Sequence, residues 1–404
     1  MRQNSIGTHR RSAAATALLA LAIAWMPACA IGQTPTLPVA NAAPAALSDR
    51  VAFVLNRALA DSAFPGAVAV VGNRNGILLE YAVGQLDRAD STHPDGRTLW
   101  DMASLTKVVA LTSVLMKLVD EKRLQLDAPV QRYIPEFTGK WKRRVTVRHL
   151  LTHSGGLPSW RPLYKETTSP RDALALAIAT PLDTLPGLRM VYSDLGAIIL
   201  GEIARRVSKL PLDQYAVEKI FAPLGMKETF YRPDATMQSR TAPTEIDPWR
   251  QRHLRGEVHD ENAFALGGVS GHAGLFSTAR DLARLARAYL NDGTLDGTRI
   301  WSKRTMAQFT KVQNAALSHR ALGWETANGA NSGGRFMSHL AFGHTGFTGT
   351  SLWIDPGNDV FVILLSNRVN PTRENRRISG VRIALADSVM ALMGRAQATP
   401  PDAR

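Results

Sequence analysis

From Leu105 to Leu118 the chain is almost wholly apolar, with Lys107 and Lys117 its only charges. At this length such a run predicts a buried helix rather than a strand. A buried helix needs a large core around it. The 404 residues, 45% hydrophobic and 20% charged, can supply one, and this composition excludes a disordered chain or a coiled coil.

The surrounding elements are legible at both ends. Ser48 is placed to cap a helix in which Val51, Val54, Leu55 and Ala58 recur at i, i+3, i+4 and i+7. Phe64-Pro65-Gly66 breaks that helix, and Ala67 to Val71 and Ile77 to Val83 read as strands joined by the turn Gly72 to Gly76. Near the other end, Thr350 to Ile354 and Val360 to Ser366 flank Pro356-Gly357-Asn358 as a second hairpin, and Ile378 to Met393 reads as a closing helix. Between Leu124 and Met306 helical segments alternate with long loops, Leu195 to Val207 and Leu282 to Leu290 being the clearest. This order predicts an α/β (α+β) fold: a central antiparallel sheet built from both termini, flanked by N- and C-terminal helices, with an inserted, mostly helical subdomain. The folded domain is expected over 48–395, its α/β part at about 48–120 and 320–395, the insert at about 121–319 and a tail at 396–404. A cleft between the two parts is the expected site.

Arg10 and Arg11 precede an apolar run, Ala13 to Trp25, and then Ala28-Cys29-Ala30. Residues 1–30 read as a secretory signal peptide, too short to span a bilayer as a lasting helix, followed by a Pro- and Ala-rich linker at 31–47. Export with cleavage after Ala30, to the periplasm or the exterior, is the expectation. Lipid anchoring through Cys29 is the alternative, although Met26 and Pro27 make a poor lipobox, and membrane association is expected only in that case. The arginine pair is also a weak signal for twin-arginine export. With a single cysteine, an internal disulfide and a Cys-based metal site are excluded. The net charge of +14 is spread along the chain without runs of like charge or basic-aromatic interleaving, which argues against nucleic-acid binding and leaves acidic polymers such as a cell wall compatible.

Ser104-Leu105-Thr106-Lys107 opens the apolar run. On a helix that spacing puts Ser104 and Lys107 on one face, one turn apart. A serine hydroxyl needs a base, and lysine serves if burial and nearby positive charge lower its pKa; the apolar run supplies the burial. Backbone N–H groups at the helix start can stabilise an oxyanion. Tyr192-Ser193-Asp194, just before a helix, and His344-Thr345-Gly346, just before a strand, follow in order. His259, Asp260, Glu261 and Asn262 with His272 lack a helical His pair and read as a loop network lining the cleft rather than a metal site. His153 reads as ordering its Gly-rich loop, Gly267, Gly268 and Gly271 as backbone turns, and Trp141 and Trp160 as packing residues.

Together with Leu150 to Pro158 (LLTHSGGLP) and Ser277-Thr278 followed by Asp281-Leu282-Ala283-Arg284, these motifs make the chain resemble the serine β-lactamase and penicillin-binding superfamily. The likeness is greatest to its class C β-lactamases, D-alanyl-D-alanine carboxypeptidases and related carboxylesterases, over about residues 48–395. The resemblance implies a β-lactamase-like fold with Ser104 as nucleophile, Lys107 as its base and Tyr192 as proton shuttle to the leaving group. It implies an oxyanion hole from the N–H groups of Ser104 and Phe347, the latter on an expected edge strand, and substrate binding by Asp194, His344, Thr345 and Gly346. No cofactor or metal is implied. Asp194 stands where the family usually has Asn, whose amide donates to substrate, and His344 stands where many β-lactamases have Lys and some carboxypeptidases have His, so a substrate carboxylate is expected to meet a weaker, pH-dependent positive charge there; both count against an efficient β-lactamase. The expected function is an exported acyl-serine hydrolase of D-alanyl-D-alanine carboxypeptidase type, acting on a small-molecule or peptide substrate, peptidoglycan included. A carboxylesterase or β-lactamase on the same machinery, and a non-catalytic peptidoglycan-binding or sensor protein, are the alternatives. The sequence does not indicate an oligomeric state.

Overall fold

The computed structural model describes residues 45–87 and 91–394. The expected signal peptide, Cys29, nearly all of the expected linker and the 396–404 tail lie outside the described residues.

Strands β1 (Gly66–Asn73) and β2 (Gly76–Gly84) form the first expected hairpin. Asn73 closes its turn, its side-chain oxygen accepting from the N–H groups of Asn75 (2.9 Å) and Gly76 (3.3 Å). Four more strands come from the far end of the chain: β3 (Glu325–Thr326), β4 (Phe342–Thr345), β5 (Ser351–Asp355) and β6 (Val360–Ser366). The sheet order is β3-β4-β5-β6-β1-β2 and every pairing is antiparallel, so the termini meet where Ala67 opposes Ser366 and Gly72 opposes Phe361.

Period-two alternation sorts β1 between two cores. Ala67, Ala69 and Val71 face a layer made by α1 (Ala45–Ala60) and the closing helix (Ile378–Met393), while Val68 and Val70 face the larger helical core. Helix α1 begins upstream of the expected Ser48 cap, because Leu47 extends the buried stripe Leu47, Val51, Leu55 and a fully buried leucine holds the extra turn in place. The last three residues assigned to the linker are therefore helical.

The apolar run Leu105 to Leu118 is helical, and with the turn before it takes three successive forms. A 3₁₀ turn at Ala103–Leu105 leads into a π-helical segment, Lys107–Thr112, and then α2 (Ser113–Asp120). The hydroxyls of Thr112 and Ser113 donate to carbonyls five residues back, on Lys107 (2.7 Å) and Val108 (3.2 Å), which supports the wider winding. The middle of the chain adds α3 (Asp194–Ser208), buried on nearly every side, and α4 (Ala279–Leu290), which packs on β1 and β6. The closing helix is α5.

The middle of the chain is not purely helical. Its short strand Leu275–Ser277 pairs with Trp100–Asp101, which ends three residues before Ser104, and with Phe230–Tyr231. These two- and three-residue strands tie the insert to the turn that carries the nucleophile candidate.

Candidate active site

Ser104 sits at the end of a strained turn. Ala103 has φ +45°, a left-handed conformation unusual for a residue with a Cβ. The buried Asp101 carboxylate holds that turn, accepting from the N–H groups of Ala103 (2.8 Å) and His259 (2.7 Å). Thr348 and Thr350 donate their hydroxyl hydrogens to the carbonyls of Asp101 (2.7 Å) and Met102 (3.1 Å). Burial, opposed by these N–H donors, leaves the Asp101 carboxyl above its usual range.

The same clamp accounts for Gly346. A Cβ there would lie 2.5 Å from the Met102 carbonyl oxygen and overlap the Thr350 hydroxyl, so only glycine lets the end of β4 approach the Ser104 turn. Gly346→Ala should force the two apart, costing about 1–3 kcal/mol of stability and about a hundredfold in kcat/KM. Thermal unfolding together with ester turnover checks both numbers.

Lys107 is 3% exposed. Its ammonium reaches Ser104 Oγ at 3.0 Å, the His272 carbonyl at 2.9 Å and Asp194 Oδ1 at 2.7 Å. The first two contacts are hydrogen bonds and the third is an ion pair. Burial pulls the lysine pKa down, but Asp194 and Tyr192 outweigh it and the net shift is upward. The expected depressed lysine is therefore not what the fold builds: opposite charge from Asp194 prevails, and Lys107 rests as an ammonium.

Tyr192 enters from the start of α3. Its ring lies 4.5 Å from the His153 ring and 5.8 Å from the His344 ring, centroid to centroid, with Lys107 Nζ 5.1 Å from its own centroid. Its hydroxyl is buried without a hydrogen-bond partner. The 153–159 loop pins this segment: the Ser193 N–H donates to His153 Nδ1 (3.1 Å), the Ser193 hydroxyl to the Pro158 carbonyl (2.7 Å) and the Asp194 N–H to the Ser159 carbonyl (2.9 Å). His153, itself at φ +54°, orders the loop as its sequence context predicts.

His344 lies within β4, one turn ahead of the expected strand, which is β5. Its Nδ1 is 2.8 Å from the Thr345 carbonyl, so Nδ1 carries the proton and the buried Nε2, which has no partner, is an acceptor. Burial, with Arg320 and Lys107 nearby, pushes its pKa well below the ordinary value. The histidinium expected to meet a substrate carboxylate is absent at neutral pH. The nearby positive charge comes instead from Arg320, whose guanidinium carbon is 5.2 Å from the Tyr192 ring centroid.

A cavity of about 570 Å³ brings together Ser104, Tyr192, Arg320, His344, Thr345, Gly346 and Phe347. Strand β4 is not the sheet edge along its whole length, since β3 covers Phe342 and Gly343, but the ladder ends there and leaves His344 and Thr345 without an outer partner strand among the described residues. Phe347, half exposed, stacks on His259 at 5.7 Å. The rest of the His259 region is a hydrogen-bonded network: His259 with Glu245 (3.0 Å), and His272 with Asp260 (2.8 Å) and Ser270 (2.7 Å). Trp141 and Trp160 do not line the cavity; Trp141 lies under the Lys140 ammonium and Trp160 beside Tyr164. Sequence reasoning missed Asp101, Arg320, Arg368 and Arg382, none of which belongs to a local motif.

The family described as Beta-lactamase matches residues 51–386. A protein of Salmonella typhimurium named "Putative D-alanyl-D-alanine carboxypeptidase" is 33% identical over 359 residues, covering 79% of this chain and 82% of that one. Among solved structures, a penicillin-binding protein homologue from Caulobacter crescentus superposes with a TM-score of 0.71 at 22% identity, over 87% of this chain and 99% of the other. A family VIII carboxylesterase does so with a TM-score of 0.69 at 24% identity, over 87% and 99%. The chain accordingly belongs to the β-lactamase family and is a serine hydrolase.

Proposed function

We propose that the protein is an exported D-alanyl-D-alanine carboxypeptidase-type hydrolase working through an acyl-enzyme on Ser104. The observation that carries this reading is the contact of Lys107 with Ser104 Oγ inside a cavity that also holds the unpartnered Tyr192 hydroxyl. In the reaction Lys107, once it has shed a proton, accepts that of Ser104 as Oγ attacks the substrate carbonyl. The N–H groups of Ser104 and Phe347 receive the oxyanion, and Tyr192 passes the proton to the departing group. Water then releases the acyl group by the same steps in reverse. The name of the Salmonella relative supports a peptide acyl donor, and the Ala28-Cys29-Ala30 sequence supports export.

Parallel turnover assays on a D-Ala-D-Ala peptide, a short-chain ester and a chromogenic lactam test the substrate class. Preference for the peptide is the expected result; an ester preference with no peptide cleavage favours the carboxylesterase reading. For export, the protein recovered from fractionated cells should begin after Ala30 or carry a lipid on Cys29, and an uncleaved cytoplasmic protein contradicts both.

Asp194 sets the pH range. Because its charge raises the Lys107 pKa, ester kcat/KM should climb as pH rises and the free amine forms. Asp194→Asn removes the charge, so the rising limb should move to lower pH, and the new amide donor should raise acylation by penicillins relative to simple esters. An unchanged limb together with an unchanged ratio contradicts this role.

A further inference from the structure

Beyond Thr345 and Phe347 the cavity continues to the start of α5, and its lining becomes strongly cationic. Five arginines, at 320, 368, 373, 376 and 382, face two acids, Glu325 and Glu374. Arg373 is neutralised by Glu245 and Glu261; none of the other four is ion-paired among the described residues. Two of them are fixed by backbone instead. Arg368 donates to the Phe347 carbonyl at 2.7 Å, and Arg382 to those of Gly346 (2.7 Å) and Thr350 (2.8 Å). Neither arrangement cancels charge. Burial, with Arg368 close by, pulls Arg382 down to about 9. Arg382 Nε and Arg320 Nη1 are buried and unpartnered, N–H donors still awaiting an acceptor.

Like charges gathered in a partly buried pocket are costly unless an anion completes them. A single carboxylate beside the scissile bond, as a D-Ala-D-Ala peptide provides, engages about one guanidinium bidentately. The remaining cations lie past the Thr345–Phe347 edge. We propose that the substrate of the Ser104 site carries a second acidic group, bound there by Arg368, Arg376 and Arg382. This deepens the acyl-serine reading and rests on it.

Two ester pairs, each matched in size and differing by one charge, test the proposal on either side of the scissile bond. On the leaving-group side, phenylacetylglycyl D-malate is compared with its β-malamate; on the acyl side, phenyl hydrogen glutarate with phenyl glutaramate. The acid member of at least one pair should have a kcat/KM about tenfold above its amide, the advantage shrinking as salt is added. Arg376→Gln, an exposed side chain without hydrogen bonds to the described fold, and Arg382→Gln should each reduce that ratio towards unity. Turnover through Ser104 with no preference in either pair overturns the proposal alone, as does a preference that survives both substitutions. Absence of any ester turnover and of any acyl-Ser104 overturns the acyl-serine reading and the proposal with it.

Discussion

Ser104→Ala should remove about 10⁴- to 10⁶-fold of turnover while leaving a folded protein. The substitution deletes one oxygen. It leaves one Lys107 N–H without its 3.0 Å acceptor, which costs about 1 kcal/mol, too little to unfold a domain of this size. Circular dichroism and thermal unfolding should therefore match the parent closely while ester and peptide hydrolysis vanish. Full activity in this variant would move attention to the His259 and His272 network, the other cluster of titratable groups near the cavity.

Lys107→Ala should be nearly as severe for acylation, by about three or more orders of magnitude, because a neutral hydroxyl without a base is a weak nucleophile. Here the stability effect is mixed. The variant loses a buried cation and leaves Asp194 without its 2.7 Å partner and the His272 carbonyl without its 2.9 Å donor. Removing one partner of a buried pair costs about 3–5 kcal/mol. Lys107→Arg separates the two effects: it keeps a cation near Asp194 but cannot lose its proton, so it should recover stability without activity. Burst kinetics with a chromogenic ester read acylation directly, and near-normal bursts in either variant would exclude Lys107 as the base.

The sequence speaks clearly where chemistry or periodicity is local. The closing helix runs over Ile378–Met393 as read, both hairpins are present, and Ser104, Lys107 and Tyr192 converge on one site. What escaped was non-local. Trp100–Asp101 and Leu275–Ser277 are too short to show alternation, and they are strands only because of the chain segments that pair with them. The π-helical winding depends on two hydroxyls in a run that otherwise reads as uniform. Lys107 looked poised for a lowered pKa because its local sequence shows the apolar burial, whereas the charge that reverses the shift comes from Asp194 on another helix. His344 misled in the same manner: its neutrality follows from burial and from Arg320, on a segment that carries no motif. Glycine at 346 could be read as part of a motif, but its cause, the close passage of the Met102 carbonyl, is visible only in three dimensions.

The central claim is that Ser104 carries the acyl group. Rapid acid quench during turnover of a short-chain ester, or after exposure to penicillin, followed by intact-mass measurement and peptide mapping, tests it most directly. The expected result is one added acyl group per chain, on the peptide containing Ser104, absent from Ser104→Ala. Turnover with no acyl adduct in the quenched protein, or an adduct on any other residue, would contradict it.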